Sequence, residues 1–87
     1  MTISPEIRQQ IPKVRGDNPH LTAQMTDEEI AVLLQQAAIL YYNLGLFNHQ
    51  LGQSDQARLH LQKAKTLFEM VGDIPMIQMV AQSLGKL

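Results

Sequence analysis

The feature that most constrains this chain of 87 residues is an apolar run with helical spacing in its middle. Apolar side chains recur in alternating steps of three and four, at positions 30, 33, 37, 40, 44, 47 and 51. That spacing places them along one side of a helix. Thr26 and Glu29 match a capping box at its start, and Gly52 follows the last apolar residue. The sequence therefore predicts a long helix from Thr26 to Gly52.

A second helix is predicted directly after this glycine. Ser54 can cap its start and Gly72 can end it. The apolar face is expected at Ala57, Leu61, Ala64, Phe68 and Val71. These positions again follow steps of three and four, with polar side chains between them, so the helix is amphipathic.

A third helix follows, capped by Asp73 or Ile74, opened by Pro75 and continuing toward Gly85. The connections between the helices are short, and short connections force neighbouring helices to lie antiparallel. The predicted fold class is therefore all-α: an antiparallel helical hairpin with a long first helix, followed by a third, C-terminal helix.

The chain divides into an N-terminal arm, residues 1–25, and a helical domain, residues 26–87. The arm holds three of the four prolines and is expected to be a short helix or partly disordered. Ser4 would cap the helix, Pro5 would occupy its first turn, and Pro12 would stop it. Isoleucines with four-residue spacing would line one side of it, at Ile3, Ile7 and Ile11.

One glycine lies inside the predicted first helix, where it costs about 1 kcal/mol relative to alanine. Gly45 follows Leu44 directly. A missing side chain at this position allows the next helix to approach more closely than a Cβ atom would permit. Gly45 is therefore expected to set the separation of the first two helices, and Gly52 the direction of the turn.

The segment LYYNLGLFNHQLGQSDQARLHLQKAKTLF resembles a tetratricopeptide repeat. Tyr41 stands at the aromatic position of the repeat, Leu44-Gly45 at its Leu-Gly pair, Gly52 at its turn, and Ala57 and Ala64 at its small positions. Residues 82–87 repeat the Leu-Gly pair more faintly. The resemblance implies one repeat plus an extra helix, within a family that binds segments of other proteins.

By this resemblance, the residues expected to line a partner-binding groove on the first helix are Ile39, Tyr42, Leu46, His49 and Gln50. Two alternatives remain for the same apolar surface: it is buried against an identical chain, or against residues 3–14. About three repeats are needed before such helices bury enough surface to be stable alone. We therefore expect a homo-oligomer, most simply a dimer.

Composition argues against several other functions. The formal net charge is -1, which is too little positive charge to attract nucleic acid. Cysteine is absent, and His49 and His60 have no carboxylate at helical spacing to complete a metal site. No triad pattern or glycine-rich phosphate loop is present. We expect no enzymatic activity, no metal and no cofactor.

The termini and the apolar runs predict a location. No signal peptide is expected, and the densest apolar run has six residues, against about 20 for a membrane span. The sequence thus predicts a cytoplasmic, non-enzymatic protein–protein interaction module, such as an adaptor, scaffold or assembly factor, without membrane insertion. The alternative is a structural homo-oligomeric bundle whose apolar stripe is buried in a self-interface.

Overall fold

The computed structural model describes residues 3–87 and contains five helices, with no strand in that range. The helices are α1 (Pro5–Asp17), α2 (Pro19–Thr22), α3 (Asp27–Gln50), α4 (Ser54–Val71) and α5 (Ile74–Gly85). The predicted all-α class is confirmed. The first two residues of the predicted N-terminal arm lie outside the described residues.

The start of α3 follows the predicted capping box. The hydroxyl of Thr26 accepts a hydrogen bond from the Glu29 backbone N–H at 3.1 Å, and the Glu29 carboxylate accepts one from the Thr26 backbone N–H at 2.9 Å. At the other end, Gly52 has φ +75°, a left-handed conformation that glycine adopts without steric cost. Both ends of α3 are therefore specified locally.

The start of α4 differs from the prediction. Ser54 is the first helical residue, and Gln53 occupies the capping position without a side-chain capping bond. The tight turn explains the shift: the Gln53 backbone N–H donates to the Asn48 carbonyl at 2.9 Å, which closes the turn one residue earlier. The other predicted caps are present, since Gly72 ends α4 with φ +73° and Asp73 accepts from the Met76 backbone N–H.

The prediction that Pro12 stops the first helix is wrong, because α1 continues through it to Asp17. Proline removes one helical donor and leaves the carbonyl of Arg8 without its partner. Both residues are exposed, so water can bond to that carbonyl. Burial offsets the loss, because α1 packs into the core through Ile7 and Ile11, joined by Ile3 just before the helix.

The corner between α1 and α3 is fixed by one arginine. Arg15 donates to the backbone carbonyls of Thr22 at 3.1 Å and Met25 at 2.8 Å, and to the Asp27 carboxylate at 2.8 Å. A planar guanidinium can satisfy several acceptors at once, which a lysine cannot do in this geometry. The side chain thereby holds α1, the α2 turn and the start of α3 together.

The core lies where α3 and α4 pack along their lengths, with α5 against α4 and α1 across one end. Gly45 of α3 faces Leu61 of α4, and a Cβ atom on Gly45 would lie 2.6 Å from the Leu61 Cγ. The sequence-based role of Gly45, setting the helix separation, is confirmed by this contact. The glycine is a requirement of the packing.

Candidate docking groove

The buried side of α3 is not the side that its bulky apolar spacing suggests. Its fully buried residues are Ile30, Ala31, Leu34, Ala38 and Gly45. Of the run that begins at Ile30, the side chains of Leu40, Phe47 and Leu51 are 58%, 57% and 56% exposed.

Small residues explain the difference. Ala31, Ala38 and Gly45 recur every seven residues on α3, and Ala57 and Ala64 have the same spacing on α4. Two helices approach most closely where their side chains are smallest, so α4 packs on this line and leaves the larger side chains beside it.

Two clefts lie one after the other between α3 and α5. At one end, a cleft of about 630 Å³ is lined by residues that include Ile39, Phe68 and Met76. At the other end, a cleft of about 260 Å³ is lined by Leu46, His49, Leu61, Ser83 and Lys86. Helical spacing places Tyr42 on the α3 side and Met79 on the α5 side between the two clefts.

We call this feature the α3–α5 groove. Its members are Ile39, Tyr42, Leu46 and His49 on α3, Met76, Met79, Ser83 and Lys86 on α5, and Leu61 and Phe68 of α4 at its floor.

Four of the five predicted contact residues lie on this groove. Ile39 is 50% exposed in the larger cleft, and Leu46 and His49 line the smaller one. Tyr42 is half-buried and packs against the core between them. Gln50 is exposed and lies farther around α3, on its outer edge. The five residues remain a predicted site, of which the structure brings four together.

The α5 side of the groove was not predicted from sequence. The sequence does contain the helical spacing of this wall, in steps of three and four, at Met76, Met79, Ser83 and Lys86. Serine and lysine interrupt the apolar residues of this run, and a mixed side of a helix usually faces water. Only the approach of α5 to α4 makes it one wall of a groove.

Charge is confined to the ends of the groove. No Asp, Glu, Lys or Arg occurs from residue 30 to residue 54. Asp73 lies at the larger cleft and Lys86 at the smaller one. The Asp73 carboxylate also accepts from the Met76 backbone N–H at 3.2 Å. The surface between them offers apolar contact and side-chain polarity without formal charge.

The opposite flank of α3 carries a polar network around His60. Its Nδ1 lies 2.6 Å from the Asn48 Oδ1, and the Asn48 amide donates to the Gln53 side chain at 2.8 Å. The Tyr41 ring stacks on the imidazole with centroids 5.9 Å apart. These contacts fix the turn between α3 and α4 and this edge of α3.

The His, Asp and Glu side chains of the described residues are scattered over the structure. Among residues 3–87, no three His, Asp or Glu side chains come close enough to hold a metal ion. The carboxylates Asp27 and Glu29 serve the Arg15 contact and the cap. The expectations of no enzymatic activity, no metal and no cofactor remain predictions.

Helix α3 is long and apolar enough to cross a membrane, judged by length and composition alone. Its most apolar window has a mean hydropathy of 1.5, and 28% of that window is buried in the fold. A core helix of a soluble protein passes the same test. The predicted absence of membrane insertion and the cytoplasmic location therefore remain predictions.

No family model, curated protein or solved structure significantly matches this chain. The tetratricopeptide resemblance thus rests on the residues that suggested it. What the protein does has to be argued from the groove and the surfaces beside it.

Proposed function

We propose that this protein is a non-enzymatic interaction module, an adaptor, scaffold or assembly factor, which docks an apolar segment of another protein in the α3–α5 groove. The observation that carries the proposal is the groove itself. Apolar side chains from two helices face it, its floor is the core of the fold, and charge is confined to its two ends.

The size of the groove suits a short segment. Helix α5 has 12 residues and is about 18 Å long. That length accommodates about five or six residues of extended chain, or about three helical turns. Asp73 favours a basic residue at one end of the segment, and Lys86 favours an acidic residue at the other.

The character of the groove walls fits a binding surface. Met76 and Met79 are flexible and polarizable, so they can adapt to the side chains of an incoming segment. Ile39 is half-exposed, and burying it on binding is favourable. The ligand expected is therefore an apolar peptide with opposite charges at its ends.

The arrangement of the helices supports this proposal through the family resemblance. In a tetratricopeptide-like module, α3 and α4 are the antiparallel hairpin and α5 is the first helix of a further, incomplete repeat. First helices line the peptide groove in that family, and here α3 and α5 line the α3–α5 groove. The absence of cysteine is compatible with the cytoplasm, where we place the module.

The test begins with selection of ligands from a displayed library of random peptides. Binding of the selected peptides is then measured by fluorescence anisotropy. Ile39→Asp and Leu46→Asp should each weaken binding at least about tenfold, because each introduces a charge into the apolar contact. Leu59→Asp is the matched control, since Leu59 is also half-exposed but lines a different cleft, with Tyr41 and Lys63.

Circular dichroism must show that each variant keeps its helical content. Peptides that bind both groove variants as tightly as the unaltered protein would contradict the proposal. The alternative function, a structural bundle with this surface buried between copies, makes a different prediction: Leu46→Asp would then dissociate or unfold the protein outright.

A further inference from the structure

A second apolar surface runs along α3 and does not belong to the groove. We call it the α3 stripe; its members are Leu33, Ala37, Leu40, Leu44, Phe47 and Leu51. The last four are exposed, and three of them expose more than half of their surface. With 100° of rotation per residue, the stripe lies about 160° around the helix axis from the groove wall. A protein rarely leaves such a contiguous line of large apolar side chains in water.

The α3 stripe has a symmetrical pattern. Its spacing is four, three, four, three, four, which is the same in either direction along the helix. In an antiparallel pair of α3 helices, Leu33 therefore faces Leu51 of the other copy, and Leu40 faces Leu44. Ala37, the smallest member, faces Phe47, the largest. Small against large is the combination that fills space in a helix interface.

A parallel pair lacks this fit. Each residue would face its own equivalent, which leaves a gap between the two copies of Ala37 and crowds the two copies of Phe47. Gaps and overpacking are both unfavourable in helix interfaces. The pattern of sizes therefore selects the antiparallel arrangement.

The outer edge of the stripe carries only amides. Gln36, Asn43 and Gln50 are exposed and recur every seven residues. In the antiparallel pair Gln36 lies beside Gln50 of the other copy, and Asn43 lies beside Asn43. A carboxamide both donates and accepts, so each pairing can be satisfied without charge. Because no charged residue occurs from residue 30 to residue 54, two copies do not repel each other.

The same lack of charge disfavours other occupants. A helix that lies on a membrane usually carries Lys and Arg beside its apolar face, to meet anionic lipid. Lys63 of α4 lies over the Tyr41 ring at the inner edge of the α3 stripe, but no Lys or Arg lies along its outer edge. Its inner edge is fixed by the contacts of Tyr41 and Asn48 with His60. The surface is therefore rigid, carries no charge from α3 itself, and is complementary to itself.

We propose that the α3 stripe is a self-interface through which two copies of the chain pack antiparallel, with the twofold axis between Leu40 and Leu44. The stripe is about 27 Å long and about 11 Å wide, so each copy contributes a flat footprint of about 300 Å². This area is below that of most stable interfaces, so we expect a weak dimer that dissociates readily on dilution. The α3–α5 groove of each copy stays open.

Analytical ultracentrifugation over a range of concentrations tests the interface. The unaltered chain should shift reversibly from the mass of one chain to that of two. Leu40→Asp should raise the dissociation constant about a hundredfold or more, because the charge enters the interface twice. Ile39→Asp is the matched control, because it introduces the same charge one residue away on the groove side of α3. This variant should dimerise like the unaltered chain. Leu44→Gln is a milder variant if Leu40→Asp does not fold.

Cysteine pairs test the orientation, because the chain has no cysteine of its own. Single variants Leu33→Cys and Leu51→Cys should form a mixed disulfide when the two proteins are combined and oxidised. Neither should link efficiently to itself, since residues 33 and 51 lie at opposite ends of the stripe. Efficient linking of Leu33→Cys to itself, with no mixed product, would overturn the antiparallel arrangement.

Three other results would overturn the self-interface. The first is a chain that stays monomeric at several hundred micromolar. The second is a loss of dimer that is equal for Leu40→Asp and Ile39→Asp. The third is binding of the monomer to phosphatidylcholine–phosphatidylserine vesicles that Leu40→Asp abolishes. The proposed peptide site is tested separately, because Leu40→Asp should leave peptide binding intact and Ile39→Asp should remove it.

Discussion

Replacing Gly45 with alanine should destabilise this protein, although the same change stabilises most helices. The new Cβ atom would lie 2.6 Å and 2.7 Å from the Leu61 Cγ and Cδ2 atoms, and 3.2 Å from its backbone nitrogen. Carbon atoms in contact normally lie about 3.5–4.0 Å apart. Leu61 is only 1% exposed, and rotation of its side chain cannot relieve the close contact with its backbone nitrogen.

The change in the free energy of unfolding caused by Gly45→Ala is the sum of two opposing contributions. Overpacking a core costs about 1–3 kcal/mol, and an overlap with two carbons belongs near the upper end of that range. Alanine recovers about 1 kcal/mol of helix propensity. The net loss is about 1–2 kcal/mol, which lowers the midpoint of thermal unfolding by about 4–16 °C in a domain of this size.

The assay is thermal unfolding followed by circular dichroism, at one fixed protein concentration because association shifts the midpoint. Gly16→Ala is the control, since Gly16 lies in α1 and an added Cβ would meet no atom within 4 Å. That variant should be up to about 1 kcal/mol more stable than the unaltered chain. A midpoint for Gly45→Ala at or above the unaltered value would refute the packing argument.

Three further substitutions probe the ends and the corner of the fold. Thr26→Ala should cost about 1 kcal/mol in urea unfolding, since the hydroxyl that caps α3 is lost; no change would mean that Glu29 alone suffices. Gly72→Ala should cost about 1–2 kcal/mol in the same assay, because its φ of +73° is unfavourable for any side chain; a neutral result would show that the turn relaxes. Arg15→Gln should accelerate hydrogen exchange in α1 without changing α4, since it removes the bonds to the Met25 carbonyl and Asp27; equal acceleration in both helices would contradict a local corner.

The ends of the helices could be predicted because they depend on local chemistry. The Thr26 capping box, Gly52, Gly72 and the Asp73 cap each act within a few residues, so spacing along the chain identifies them. The prediction that Pro12 ends α1 was wrong because it ignored tertiary packing. The local effect of Pro12 is to end a helix, but burial of the isoleucines of α1 in the core outweighs the loss of one hydrogen bond.

The orientation of α3 could not be read from its bulky residues, since both flanks of the helix are apolar. Periodicity finds a stripe but does not say which of two stripes is buried. The seven-residue spacing of Ala31, Ala38 and Gly45 does contain that information. Their small size lets α4 approach, and the burial of α3 follows from that contact. The wall that α5 adds to the groove depends on tertiary packing, so spacing within α3 alone could not reveal it.

Because residues 30–54 carry no formal charge, binding through α3 should depend little on salt concentration but clearly on temperature. Contacts made along this helix contain little that ionic strength can screen, so dilution of the buffer or added sodium chloride should hardly alter them. Temperature acts differently, since attraction between apolar surfaces weakens on cooling. Association through the α3 stripe should therefore persist in concentrated salt and weaken in the cold.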